Sequence, residues 1–235
     1  MLNTKNHFAN LTPLSIFDPE VENMGIQERK LKHKESLKQT ILDAAKKLFL
    51  KNGYQATSIR KIASEIEFSP TTIYLYFKDK AEIAYALHQE GFQILSSQFE
   101  VLRNIENPFE RVKAMGRAYM RFSLEYGDCY ELMFVRKEPM EYLEDCADKD
   151  WDEGKRSFEA LINNIIACKE AGYFKGLDPS SVAMMTWSTL HGLCMLKIHG
   201  HLDFIKVHKE KQLGHIDNIL EDTFSTFIKM LEAMK

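Results

Sequence analysis

The sequence of 235 residues has no uninterrupted apolar run of the kind a membrane-spanning helix needs, roughly 20 residues. No N-terminal stretch combines a basic start, an apolar core and a small-residue cleavage site. The chain is therefore expected to be soluble and cytoplasmic, with no membrane partner. Cysteine is scarce: Cys129, Cys146, Cys168 and Cys194 make up the whole complement of 4, and none forms a CxxC pair. A disulfide framework and a cysteine zinc site are both unsupported, which leaves small buried apolar residues in a reducing compartment. GxSxG, P-loop, GxGxxG and HExxH patterns are missing, so no enzyme, no catalytic residue and no cofactor is expected. The acidic residues Glu144, Asp145, Asp148 and Asp150 read as a solvated linker. His191, His199, His201, His208 and His215 crowd into the last third, but their spacing matches no zinc pattern, and no metal site is expected.

What the chain does contain is an ordinary globular composition with an uneven charge distribution. Hydrophobic residues make up 45% and charged residues 28%, enough apolar material for a packed core. The net charge of −3 conceals a basic segment: residues 28–80 hold 12 Lys+Arg against 6 Asp+Glu, and the remainder is acidic. A basic head on an acidic body is the pattern of a nucleic-acid-binding unit attached to one that phosphate does not attract.

Apolar residues recur at intervals of three and four almost throughout, and no stretch alternates like a strand, so the fold is expected to be all-α with about nine helices. Residues 1–27 lack periodicity and read as a flexible extension. A first helix is expected over Glu35–Lys51, buried through Leu37, Ile41, Ala44, Ala45, Leu48 and Phe49 and stopped at Asn52-Gly53. A second begins at Thr57 or Ser58, either of which can cap it, and buries Ile59, Ile62, Ala63 and Ile66. Ser69 starts a third with Pro70 at its first position, and Asp79 with Glu82 forms the acidic version of a capping box for a fourth. Breaks at Asn107-Pro108, Gly127-Asp128, Glu138-Pro139, Gly172 to Pro179 and Gly200 divide the rest. Val182 to Leu196 is apolar almost all round, the pattern of a helix buried on most sides. The last segment keeps a clean apolar stripe from Ile216 to Met234.

Helix, short helix, tight turn, short helix is the arrangement of a helix-turn-helix, whose second short helix enters the major groove. Ile73 and Phe77 are four apart and can anchor that helix, which leaves Thr71, Thr72, Tyr74 and Tyr76 outward. Threonine offers a methyl and a hydroxyl to base edges, and tyrosine a rigid arm with a phosphate-reaching hydroxyl. Lys78 and Lys80 follow, with Lys80 at a helix N-terminus that itself attracts phosphate. Ser58 and Ser69 sit at the helix starts, and Arg60 and Lys61 lie on the helix that crosses the backbone.

The stretches Thr57-Ser58-Ile59-Arg60-Lys61-Ile62-Ala63 and Ser69-Pro70-Thr71-Thr72-Ile73-Tyr74-Leu75-Tyr76-Phe77-Lys78-Asp79-Lys80 closely resemble the DNA-binding domain of the tetracycline-repressor (TetR) family, over about residues 35–82. The resemblance implies that Thr72, Tyr74, Tyr76 and Lys80 touch a double-stranded DNA operator, helped by Arg60 and Thr71. One departure stands in the turn, where the family's usual glycine is Glu67: either a side-chain-bearing residue takes a strained conformation, or the turn differs in shape. Trp187-Ser188-Thr189-Leu190-His191-Gly192 resembles the tryptophan-histidine-glycine signature of one TetR subgroup.

The resemblance further implies a helix-turn-helix domain over 28–82, continuous with a ligand-sensing and dimerisation domain over 83–235. The last two helices would form a homodimer interface through Ile216, Leu220, Phe224, Phe227 and Leu231. An inducer pocket among the middle helices would be lined by Met115, Tyr119, Phe122, Phe158, Ile162, Met184, Trp187 and His191. The function implied is a repressor that binds a palindromic operator as a dimer and releases it on binding a small apolar or amphipathic molecule. Two alternatives remain: a helical adaptor that has lost specific DNA binding, for which Glu67 is the warning, and a metal-responsive regulator.

Overall fold

The computed structural model describes residues 25–145, 151–213 and 218–235, with backbone alone for residues 145 and 208–213. Eleven α-helices and no strand occur among the described residues. Residues 1–24 of the expected extension, Cys146, Asp148 and Asp150 of the expected linker, His215, Ile216 and the side chain of His208 lie outside them.

Helix α1 runs Ile26–Asn52, starting well before Glu35. Its first buried residue is Leu37, so the early turns are held by helix-forming residues rather than by packing, and the apolar stripe gave no sign of them. Gly53, at φ 80°, ends α1 and donates its N–H to Phe49 O. Ser58 caps α2 (Ile59–Glu65), accepting from the Lys61 N–H, while Thr57 is buried and donates its hydroxyl to the carbonyls of Leu48 and Gly53. Ser69 caps α3 (Pro70–Tyr74), with Pro70 in its first turn. Asp79 caps α4 (Lys80–Val101) through the Glu82 N–H, and Glu82 Oε2 accepts from the Lys78 N–H at 2.6 Å.

A 3-10 turn, Leu102–Asn104, leads to α5 (Pro108–Glu125), where Asn107 accepts from the N–H groups of Phe109 and Glu110. There follow α6 (Gly127–Phe134), α7 (Glu138–Asp145), α8 (Asp152–Glu170), α9 (Pro179–Ile198), α10 (His201–Leu213) and α11 (Ile219–Glu232).

Two apolar cores result. The head core joins α1, α2, α3 and the first turns of α4 through Ile41, Phe49, Ile62, Ile73, Phe77 and Leu87. The body core joins α5, α6, α8, α9 and α11 with the later turns of α4, through Phe92, Phe122, Tyr130, Ile165, Leu190 and Phe224. Helix α4 therefore belongs to both, and α6 also lends Leu132 to the head. The packing changes over inside α4, between Leu87 and Phe92, rather than at a linker. Cys129, Cys168 and Cys194 are free and buried.

Val182 to Leu196 departs from the expectation of burial on most sides. Met184, Met185 and Leu196 are exposed, Met185 to 70%, and with Ser188, Thr189 and Gly192 they form an open stripe along α9. The stripe on α11 faces the other way: Phe224 and Leu231 are buried in the chain's own core, and Leu220 and Phe227 pack against it. The Phe224 ring lies where a Cβ on Gly116 would come within 2.8 Å, so α11 seats on α5 through that glycine. Phe224 and Leu231 are thus closed to a second chain, contrary to the expected interface. The open residues of α11 are Asp222, Thr223, Thr226, Lys229, Met230 and Glu232, with Ala233 just past its end.

Candidate DNA-binding face and ligand cavity

The turn between α2 and α3 resolves the question raised by Glu67. Its φ is 58°, the left-handed region, and the backbone closes with Phe68 N–H to Ala63 O at 2.9 Å and Glu67 N–H to Ser64 O at 3.3 Å. That pair of bonds is the Schellman ending usually built on glycine. The turn keeps its shape, with the side chain carried at a steric cost.

Across that turn, α3 is pinned from below by Ile73 and Phe77, both buried. Thr71 and Tyr74 face solvent, Tyr74 at 56%, and Thr72 is half-buried with its hydroxyl 3.0 Å from that of Ser69. Tyr76 is less open than expected, its ring half-buried against the head core. Ser58, Arg60, Ser69 and Lys78 are exposed. Two residues that the sequence reading passed over join this surface: Leu75, 74% exposed, and Phe68. An apolar side chain open at the end of a groove-entering helix suits contact with thymine methyls. Its only signal was its place beside Tyr74.

Lys80 differs from the expected free phosphate contact. Its ammonium donates to the carbonyls of Tyr54 at 2.8 Å and Thr57 at 3.0 Å, and stands 3.9 Å from the centre of the Tyr54 ring. Burial lowers its pKa. An ammonium has three donors, so one remains, and the lysine also acts as a strut between the start of α4 and the loop before α2. Burial pushes the Tyr54 hydroxyl up to about 12, helped by the charges of Glu138, Asp79 and Glu141.

In the body, α4, α5, α6, α8 and α9 surround a narrow apolar cavity of about 50 Å³. Of the expected lining, Met115, Tyr119, Phe158 and Trp187 are on its wall. Phe122 is not, being sealed in the core beside Tyr126 and Tyr130. Ile162 packs against the body core, and Met184 lies on the open stripe of α9. His191 stands one layer behind the wall. Its Nδ1 is 2.6 Å from the Tyr130 hydroxyl and 3.2 Å from that of Tyr119, which in turn accepts from Trp187 Nε1–H at 3.1 Å. Burial lowers the His191 pKa and pushes both tyrosines well above the ordinary phenol range, so this network is neutral. The wall also includes Phe92, Leu95 and Phe99 of α4, Phe134 and Trp151. A second, polar cleft of about 650 Å³ shares Phe99, Met115 and Ser157 with the cavity and holds Arg103, Arg111 and Arg156 alongside Glu100 and Glu159.

The described residues include no group of three or more His, Cys, Asp or Glu placed to hold a metal ion. No described helix is long and apolar enough to cross a membrane.

The geometry is matched by known proteins at both ends. Residues 41–87 match the family model for bacterial regulatory proteins of the tetR family, and residues 112–214 match that for a tetracyclin repressor-like C-terminal domain. The chain belongs to the TetR family. Among TetR relatives, the fatty acid metabolism regulator protein of Bacillus subtilis is 38% identical over 60 residues, which is 26% of this chain and 31% of that protein. The match thus spans about a third of that relative's length. The fatty acid degradation regulator FadR from Bacillus halodurans superposes with a TM-score of 0.63 at 18% identity, over 83% of this chain and 93% of its own. AibR in complex with isovaleryl coenzyme A and operator DNA gives a TM-score of 0.53 at 18% identity, over 83% and 97%. At such identities these structures carry the fold: a helix-turn-helix head on a helical body, as in other TetR regulators of transcription.

Proposed function

We propose that this TetR-family regulator is a dimeric, non-enzymatic repressor of the cytoplasm. It would bind a palindromic operator through α3 and leave it when an apolar or amphipathic molecule fills the body cavity. The observation that carries this reading is α4. One helix of 22 residues, about 33 Å long, bears Lys80 beside the DNA-facing surface and Phe92, Leu95 and Phe99 on the cavity wall. A ligand that pushes on those rings acts on the rod that positions the head.

The DNA contacts proposed are Ser58, Arg60, Ser69, Thr71, Thr72, Tyr74, Tyr76, Lys78 and Lys80, to which Phe68 and Leu75 are added. For the dimer, the open stripes of α9 and α11 supply what the buried Phe224 and Leu231 do not. Met185, Leu196 and Met230 provide apolar area, and Ser188, Thr189, Gly192 and Ala233 allow close approach of backbones. Two such pairs would build a four-helix interface and set two α3 helices about one DNA turn apart. The tryptophan-histidine-glycine segment fits a subgroup role, with Trp187 at the cavity, His191 behind it and Gly192 on the open face. The named relatives favour acyl compounds as ligands, and the wall of the cavity is apolar, as contact with an acyl chain requires.

Glu67 was the basis for an adaptor without DNA binding, and the closed Schellman turn removes that basis. The test is a mobility shift on DNA flanking the protein's own gene. Wild type should retard a specific fragment, and Tyr74→Ala and Arg60→Ala should weaken it at least tenfold. An undiminished shift in both variants would reject the placement of the DNA-binding face.

A further inference from the structure

Tyr54 stands in the loop between α1 and α2 and touches the lysine at the start of α4. Gly53 ends α1 at φ 80°, and the chain then lays the Tyr54 ring beside Phe49, with ring centres 5.2 Å apart. The loop closes with Thr57 N–H to Tyr54 O at 3.1 Å, and the buried Thr57 hydroxyl ties it back to the carbonyls of Leu48 and Gly53. Phe49 is itself buried in the head core, so ring and loop are both held in place.

The Lys80 ammonium reaches into this loop. It donates to Tyr54 O at 2.8 Å and Thr57 O at 3.0 Å, and lies 3.9 Å from the centre of the Tyr54 ring. Three walls from one loop thus enclose a single charge. A free lysine spreads its ammonium over many rotamers and loses that freedom when it binds a phosphate. Here the freedom is lost on folding, and the charge stays at the N-terminus of α4, where the helix end also draws phosphate. Of the three walls, two are backbone carbonyls that any residue supplies. Only the ring depends on which side chain occupies position 54.

We infer that Tyr54 is a positioning residue for operator binding: its ring holds the Lys80 ammonium in the place from which it meets the DNA backbone. Tyr54 acts through the population of the enclosed lysine, because apparent affinity scales with the fraction of protein already in the competent arrangement. The inference rests on Lys80 as a phosphate contact and adds the residue that orients it.

The test is a double-mutant cycle in the full-length protein, read as affinity for the DNA fragment retarded in the mobility shift, over a series of salt concentrations. Lys80→Gln keeps a donor for the carbonyls and loses the charge. It should shrink the slope of log affinity against log salt by about 0.9 for each protomer on the DNA. Tyr54→Leu and Tyr54→Met keep an apolar contact with Phe49 and lose the ring face. Each should weaken binding about threefold per protomer, and Tyr54→Phe, which keeps the ring, should restore it. In the Lys80→Gln background the same changes at Tyr54 should have no further effect, because the charge they release is gone. An unchanged slope in Lys80→Gln would overturn Lys80 as a phosphate contact, and the role of Tyr54 with it. With the slope reduced as expected, three results would overturn Tyr54 alone: undiminished binding in Tyr54→Leu and Tyr54→Met, losses that add to that of Lys80→Gln, or a Tyr54→Phe protein as weak as Tyr54→Leu.

Discussion

At the scale of single residues, two side chains sit where physics disfavours them, and each makes a measurable difference. Glu67 holds a φ of 58°, a conformation that costs an L-residue roughly 1 kcal/mol or more. Glu67→Gly should raise the unfolding free energy by about 1 kcal/mol, or a few degrees in Tm, without changing operator affinity. A fall in Tm would show that the Glu67 side chain earns a contact elsewhere. His88 is fully buried in α4 between the rings of Tyr85 and Phe92, its two ring nitrogens without hydrogen-bond partners. Burial lowers its pKa from 6.5 to about 4. Between those values the unfolded chain binds a proton that the folded chain refuses, so this contribution is complete above pH 6.5 and is lost as the pH falls toward 4. The loss is on the order of 3 kcal/mol. Denaturant unfolding from pH 7 to pH 4.5 should show a steeper decline for wild type than for His88→Leu; parallel curves would remove His88 as the cause.

At the scale of elements, the caps were the most legible feature. Ser69-Pro70, Asp79 with Glu82, and Asn107-Pro108 start helices where the sequence says, because capping chemistry is local and depends on neighbours a few residues away. The start of α1 was not legible, since propensity alone extends it to Ile26 beyond the last residue that packs. The cavity was half legible. Met115, Tyr119, Phe158 and Trp187, expected in a pocket, line the cavity, but Phe92, Leu95 and Phe99 of α4, which line it too, look in sequence like any core stripe. Which apolar residues face a void and which face each other is set by how helices cross, and no periodicity encodes that. The open stripe of α9 was hidden for a similar reason: an all-round apolar helix is equally suited to its own core and to a second chain. Met185→Glu combined with Met230→Glu should convert a dimer to a monomer in sedimentation velocity while leaving the helical content intact. A dimer that persists would move the interface elsewhere.

At the scale of the molecule, the head and body cores are joined through α4 and Leu132 of α6 rather than by a flexible linker. Such a joint transmits displacement, but a ligand shifts the head only if it binds one arrangement better than the other. Coupling in allosteric proteins is typically ~1–3 kcal/mol, which would weaken operator binding ~5–150-fold. The most direct test is the affinity for a labelled operator fragment, read by fluorescence anisotropy, as octanoyl coenzyme A is added and tryptophan fluorescence follows the filling of the cavity. Operator affinity should fall within that range in step with occupancy. An affinity that stays constant while the cavity fills would contradict the claim that α4 carries the signal from ligand to DNA.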